Sequence, residues 1–160
     1  MRAMFTPPKL SEDTTVNGPR SRCWVLDKQD CSELAVLHLA RVGIDAAQAP
    51  YRRVRLRPAG SFLMATLEGE GRVLLEGRWQ KVTPGTMCLA PPRVLNALVA
   101  SEERPWKFAW VRYDEPSWVS PLVGAVSPLH VRAGAEEFGH VLHGLRREWE
   151  GERDRAQMHH

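Results

Sequence analysis

Nothing in this 160-residue chain is apolar for long enough to cross a membrane. The longest hydrophobic run, residues 62–67, falls far short of the roughly 20 residues that a span requires. Residues 1–15 contain no signal-peptide core, so a cytoplasmic location and no membrane partner are expected. Cysteine is scarce. Cys23, Cys31 and Cys88 are an odd set with no C-x-x-C spacing, which speaks against a disulfide framework or a zinc site and for reduced thiols. Charge of one sign is missing too: 22 basic residues are answered by 19 acidic ones along the chain, for a net +3. Nucleic-acid binding normally needs a concentrated basic footprint, and no helix here carries one. No internal repeat or low-complexity tract is evident.

Catalytic constellations are equally hard to find. Ser61, Ser101 and the cysteines stand in no recognisable arrangement with a histidine and a carboxylate, as an activated nucleophile would need, although such partners can lie far apart in sequence. Glu68, Glu70 and Glu76 cluster around turns, where solvated carboxylates are usual. Gly69-Glu70-Gly71 joins two strands and opens no helix, so it offers no helix N-terminus to a phosphate. A non-enzymatic domain without a cofactor is expected.

What the sequence does have is punctuation. Gly69-Glu70-Gly71, Glu76-Gly77, Pro84-Gly85 and Pro91-Pro92 interrupt short β-rich runs such as Arg72-Val73-Leu74-Leu75 and Met87-Cys88-Leu89-Ala90. Glycine reaches the positive φ that tight turns need, and proline presets the turn before Gly85. This spacing predicts a meander of antiparallel strands in a mainly β barrel or sandwich. Residues 51–57 alternate Arg53, Arg55 and Arg57 with Val54 and Leu56, giving one guanidinium face and one apolar face. Residues 61–68 are apolar on both faces, which implies cover outside the barrel and filling inside it. In residues 106–113, Trp106, Phe108 and Trp110 fall on one side. Residues 33–42 read as a strand ending at Gly43. Residues 114–128 form a Pro/Ser-punctuated connection.

After that the period changes. Phe138, Val141, Leu142, Leu145 and Trp149 repeat at i, i+3, i+4 and i+7, an amphipathic helix over residues 135–150. Gly151 with Glu152–Asp154 suggests a break, and residues 156–160 the start of a second helix. His159 and His160 can be native helix or the remains of a tag. The expected organisation is an arm of polar, turn-forming residues at 1–22, a β-barrel at 23–128 and a helical segment at 129–160.

Taken in order, the Arg55 strand, Gly69-x-Gly71, the turn at Gly77, Pro84-Gly85, Pro91-Pro92 and the strand at 106–113 resemble the N-terminal sensor domain of AraC-type bacterial transcription regulators. The resemblance implies a cupin-like double-stranded β-barrel (jelly roll) followed by one to two α-helices. It also implies a small-molecule effector in the barrel, a homodimer through the helices, and DNA binding only through a separate C-terminal helix-turn-helix domain that this chain lacks. Arg55 stands at about the place of the family's barrel arginine, with Arg53 and Arg57 as alternates, and Trp110 matches the tryptophan that faces the ligand. Met64, Thr66, Asn96, Leu98 and Phe108 complete the expected ligand set. Leu98 and Phe108 stand where the arabinose-binding member has tyrosine and histidine, which argues against a polyol, whose hydroxyls would be left unpaired. The stripe of Phe138, Val141, Leu142, Leu145 and Trp149 is wide enough to serve both the barrel and a partner, and a homodimer through this helix is expected.

Metal is the rival that such a barrel suggests. No His-x-His lies near residues 62–68, and Asn96, a poor transition-metal ligand, stands near the later histidine position. His140 and His143 share a helix face outside the barrel and read as solvated. Arginines on an exposed strand face are common, so Arg53 and Arg55 are either solvated or, inside the barrel, partners for an anion. Trp106, Phe108 and Trp110 are either core or the wall of a pocket. The expected ligand is apolar or aromatic with one anionic group. A metal-free cupin enzyme of the sugar epimerase or isomerase type, and a structural dimerisation module that senses nothing, are the alternatives.

Overall fold

The computed structural model describes residues 5–132 and 134–158. Eleven strands and two helices follow in the order β1 (Thr14–Val16), β2 (Arg22–Asp27), α1 (Ser32–Val36), β3 (Leu39–Ala47), β4 (Arg52–Arg55), β5 (Phe62–Gly69), β6 (Gly71–Leu75), β7 (Arg78–Val82), β8 (Met87–Ala90), β9 (Asn96–Ala100), β10 (Trp106–Tyr113), β11 (Leu129–Val131) and α2 (Ala135–Met158). They form two antiparallel sheets, ordered β1-β4-β9-β6-β7 and β11-β8-β5-β10-β3-β2. This is the expected mainly β, cupin-like sandwich with a C-terminal helix.

The expected meander is corrected. Only β6 and β7 make a tight hairpin within the punctuated region, with Glu76 at φ 52° and Gly77 at φ 79° in the two-residue turn. At Gly69 the chain instead crosses from one sheet to the other. A Cβ at Gly69 would stand 1.8 Å from the Pro105 carbonyl oxygen, and φ is +72°, so glycine is required by the crossing itself.

Residues 33–42 are not one strand. Ser32–Val36 is a turn and a half of helix, His38 turns the chain at φ 60°, and β3 starts only at Leu39. The helix buries Leu34 with Leu26 and Val42, a contact that outweighs the weak strand propensity of so short a run. Helix α2 also differs from expectation, because it passes through Gly151 without a break. One interior glycine costs about 1 kcal/mol, and the Arg146–Glu150 pair at 3.0 Å together with Trp149 in the core cluster holds the helix just before it. His159 and His160 lie outside the described residues.

The outer face of β5 has the cover it called for. Phe138, Leu142, Leu145 and Trp149 pack with Val42, Ile44, Leu63, Leu67, Ala109 and Val111, and Gly139 lets α2 come so close that a Cβ there would meet Leu67 at 2.5 Å. Burying a leucine such as Leu142 stabilises by about 2 kcal/mol. The stripe expected to be a dimer surface is therefore used within the chain, with Val141 alone exposed. The segment expected as an arm is docked as well: β1 pairs with β4, Asp13 accepts from the Leu56 amide at 2.8 Å, and Leu10 packs with Val54 and Ala97.

Candidate functional site

Alternation along four strands decides what faces the space between the sheets. On β4 and β9, Arg53 lies opposite Leu98 and Arg55 opposite Asn96. On β10 and β3, Phe108 lies opposite Asp45, Trp110 opposite Gly43 and Arg112 opposite Arg41. Side chains opposite one another share a face, so the charged face of β4 points inward while its apolar face, Val54, is covered from outside. Together with Cys23, Tyr51, Phe62 and the docked residues Thr15 and Asn17, these side chains enclose a cavity of ≈ 200 Å³. An engineered cavity of about 150 Å³ already admits benzene, so the space suits one substituted ring.

Gly43 makes room for the aromatic wall: a Cβ there would stand 2.5 Å from the Trp110 ring. Trp110 Nε1 donates to Asp45 Oδ1 at 3.0 Å, and the Tyr51 hydroxyl donates a short bond to Asp45 Oδ2. Asp45 is 3% exposed and so organises two buried donors. Burial, reinforced by Asp45, drives the Tyr51 phenol far above its ordinary value. The Arg53 guanidinium stacks on the Tyr51 ring at 4.1 Å and donates to the Val16 carbonyl at 3.0 Å and to Asn17. Arg55 donates to the Thr15 hydroxyl at 2.8 Å. Burial first, then the neighbouring charges of Arg112 and Arg53, hold Arg55 below its ordinary value.

Six of the residues singled out in the sequence line this one cavity: Arg53, Arg55, Asn96, Leu98, Phe108 and Trp110. Met64 and Thr66 do not. Met64 is fully buried beside Trp110 in the core cluster, and the Thr66 hydroxyl accepts from Trp106 Nε1 at 3.1 Å. Asp45, Tyr51, Cys23, Arg41 and Arg112 were missed. Two of these had a signal: Asp45 is a lone acid inside the apolar run Val42–Ala47, and Arg112 continues the alternation of Trp106, Phe108 and Trp110.

The lining does not suit a metal. Its one carboxylate and one thiol stand among four guanidiniums, which repel a cation, and Asp45 is already engaged. No group of three His, Cys, Asp or Glu side chains is placed for a metal among the described residues. Outside the barrel, His140 Nε2 lies 3.7 Å from Glu136 Oε1. Burial, then the cations Lys107, Arg146 and Arg147, keeps His143 below its ordinary value.

Cys23 is exposed by position, yet burial of its thiol and then Asp45 raise it to about 11, against a smaller opposing pull from Arg53. A thiol raised to about 11 holds about a hundredfold less thiolate at pH 8 than an ordinary one. Iodoacetamide should therefore alkylate Cys23 about a hundred times more slowly than a free thiol at that pH, as followed by site-resolved mass spectrometry. Rapid labelling would show that the thiol is not held withdrawn from water beside Asp45.

A family model described as AraC-like ligand binding domain matches residues 40–158. Comparison with curated proteins finds no match. Among solved structures, protein Ylba from E. coli superposes with a TM-score of 0.55 at 11% identity, covering 76% of this chain and 48% of that one. The Cupin_2 domain of an XRE family transcriptional regulator from Enterobacter cloacae gives 0.49 at 15% identity, covering 60% of this chain and 98% of that one. Salicylate 1,2-dioxygenase from Pseudoaminobacter salicylatoxidans, in adducts with gentisate, gives 0.49 at 20% identity, covering 62% of this chain and 26% of that one. The likeness to Ylba is one of fold. No helix among the described residues is long and apolar enough to cross a membrane.

Proposed function

The chain belongs to the AraC-like ligand binding domain family, and from that premise we propose that it is the effector-sensing domain of an AraC-type transcription regulator whose ligand is a small aromatic or apolar acid. The observation that carries the reading is the cavity itself, with Trp110, Phe108, Phe62 and Leu98 as apolar wall and Arg55 among the polar groups placed on it. Apolar lining with a few placed polar groups is the usual composition of a small-molecule site. A structural module would have no need of such a space. Trp106, Phe108 and Met64 pack tightly in the core, and the cavity remains beside them.

The expected division into residues 1–22, 23–128 and 129–160 shifts at both ends, because β1 and β11 pair within the barrel sheets; in this reading DNA is bound by a separate C-terminal domain. Thr15 and Asn17 belong to the cavity wall and to the docked N-terminal segment at once. A ligand that binds better with this segment in place would shift its position, which is how occupancy would be passed on. Self-association belongs to the proposal too, on the outer side of α2 around Val141, since the rest of the stripe faces the barrel.

Calorimetric titration with benzoate and with arabinose tests the ligand class. Benzoate is expected to saturate the protein at one site and to raise its Tm, while arabinose does neither. Tight arabinose binding with none of benzoate would overturn the reading.

A further inference from the structure

The four guanidiniums on the cavity wall are not equivalent. Arg41 is engaged with Asp27 at 2.7 Å. Arg53 is held by Val16, Asn17 and the Tyr51 ring, and lies near enough to Asp45 for both to act on the Cys23 thiol. Arg55 and Arg112 are different. Arg55 has one neutral partner, the Thr15 hydroxyl, and the Arg112 guanidinium makes no hydrogen bond or ion pair among the described residues, although its strand backbone is paired on both sides. The acids whose charge reaches them, Asp13 and Asp114, are occupied by the Leu56 amide and by Lys28.

The two arginines come from opposite sheets, on β4 and β10, and the charge of Arg112 is felt at Arg55. Asn96, opposite Arg55 in register, is 6% exposed and lines the same cavity, and its side-chain amide makes no hydrogen bond among the described residues, so it is open to the cavity. Two half-buried like charges that share a single neutral partner, the Thr15 hydroxyl, with an amide beside them, leave hydrogen-bonding capacity and positive charge that a ligand can complete.

We propose that Arg55 and Arg112 form a clamp across the two sheets, completed by the Asn96 amide, for a doubly charged head group: a phosphate monoester or two adjacent carboxylates on a single ring. This rests on the acid-binding reading above and adds to it the second arginine and the charge of the head group. Trp110, between Phe108 and Arg112 on β10, supplies the face on which the ring lies. A monoanion leaves one of the two guanidiniums uncompensated.

The test is calorimetry at pH 8, where a phosphate monoester carries close to two charges, with phenyl phosphate, phthalate, benzoate and neutral benzamide. Both dianions are expected to bind at least about tenfold more tightly than benzoate. Arg112→Gln should bring them to within about threefold of benzoate while changing benzoate itself less than about threefold. Arg112→Lys, which keeps a cation without the planar fork, should retain part of the preference, and it serves where the glutamine variant fails to fold. Equal affinity for benzoate and both dianions, with Arg55→Ala still weakening benzoate binding about a hundredfold, overturns the clamp and leaves the acid-binding reading in place. Benzamide binding as tightly as benzoate overturns both.

Discussion

Replacing Arg55 by alanine is expected to weaken benzoate binding about a hundredfold while changing the affinity for benzamide by less than about threefold. The argument starts from the strand. Arg55 faces inward because it alternates with Val54, whose apolar side is taken up by Leu10, Leu74 and Ala97, so the guanidinium is partly withdrawn from water. There its one side-chain hydrogen bond among the described residues goes to the Thr15 hydroxyl, which leaves most of its donors for a ligand. A hydrogen bond to a charged group contributes about 1.5 to 3 kcal/mol, and a loss of about 2.7 kcal/mol is a hundredfold in affinity. A neutral amide of the same shape draws on the aromatic wall and not on the charge. Equal losses for acid and amide would mean that Arg55 supports the fold and not the ligand.

Arg53 is the informative control. Sequence alone left Arg53 and Arg55 as alternates, since both lie on one face of the same strand. Arg53, however, carries Val16, Asn17 and the Tyr51 ring. Its loss should disturb the docking of residues 14–17 and lower benzoate and benzamide binding together.

How far the sequence could be read follows from what local patterns encode. Period two in residues 51–57 and 106–113 was legible, and it put Arg53, Arg55, Phe108 and Trp110 on defined faces. Which face turns inward was not, because apolar faces normally go inside and here the docked Leu10 covers Val54 from outside. The Phe138–Trp149 stripe was legible as a buried face. An amphipathic pattern does not say what it is buried against, and the outer side of β5 claimed it before any partner could. Turn residues marked the ends of strands but not whether the next strand stays in the same sheet, which is why Gly69 was read as part of a meander when it is a crossing. Asp45 was passed over because a single acid in an apolar strand gives no periodic signal. Its meaning lies in Tyr51 and Trp110, which are close in space and far apart in sequence.

Asp45→Ala is expected to cost about 3 kcal/mol of stability, and Asp45→Asn about 1. At 3% exposure, Asp45 satisfies the Tyr51 hydroxyl on one oxygen and Trp110 Nε1 at 3.0 Å on the other. Both donors belong to buried rings, Tyr51 at 1% and Trp110 at 8% exposure. Alanine leaves both without a protein acceptor, and an orphaned buried donor costs about 1 to 3 kcal/mol. Asparagine keeps one carbonyl acceptor for Trp110, and the Tyr51 hydroxyl can rotate to accept from the new amide. For a domain of this length each kcal/mol moves Tm by about 2 to 4 °C, so the alanine variant should melt about 6 to 12 °C below wild type and the asparagine variant about 2 to 4 °C below. The two should also part in binding. Removing the one carboxylate that the described residues place on the cavity wall relieves repulsion of an anion, so Asp45→Asn is expected to bind benzoate a few-fold more tightly despite its lower Tm, whereas Asp45→Ala, with Trp110 no longer held, binds it more weakly. Differential scanning calorimetry and titration on the same samples read both effects. If the two variants lose the same stability, Asp45 is not the acceptor that holds Tyr51 and Trp110 in place, and if neither changes benzoate affinity, its charge does not face the ligand.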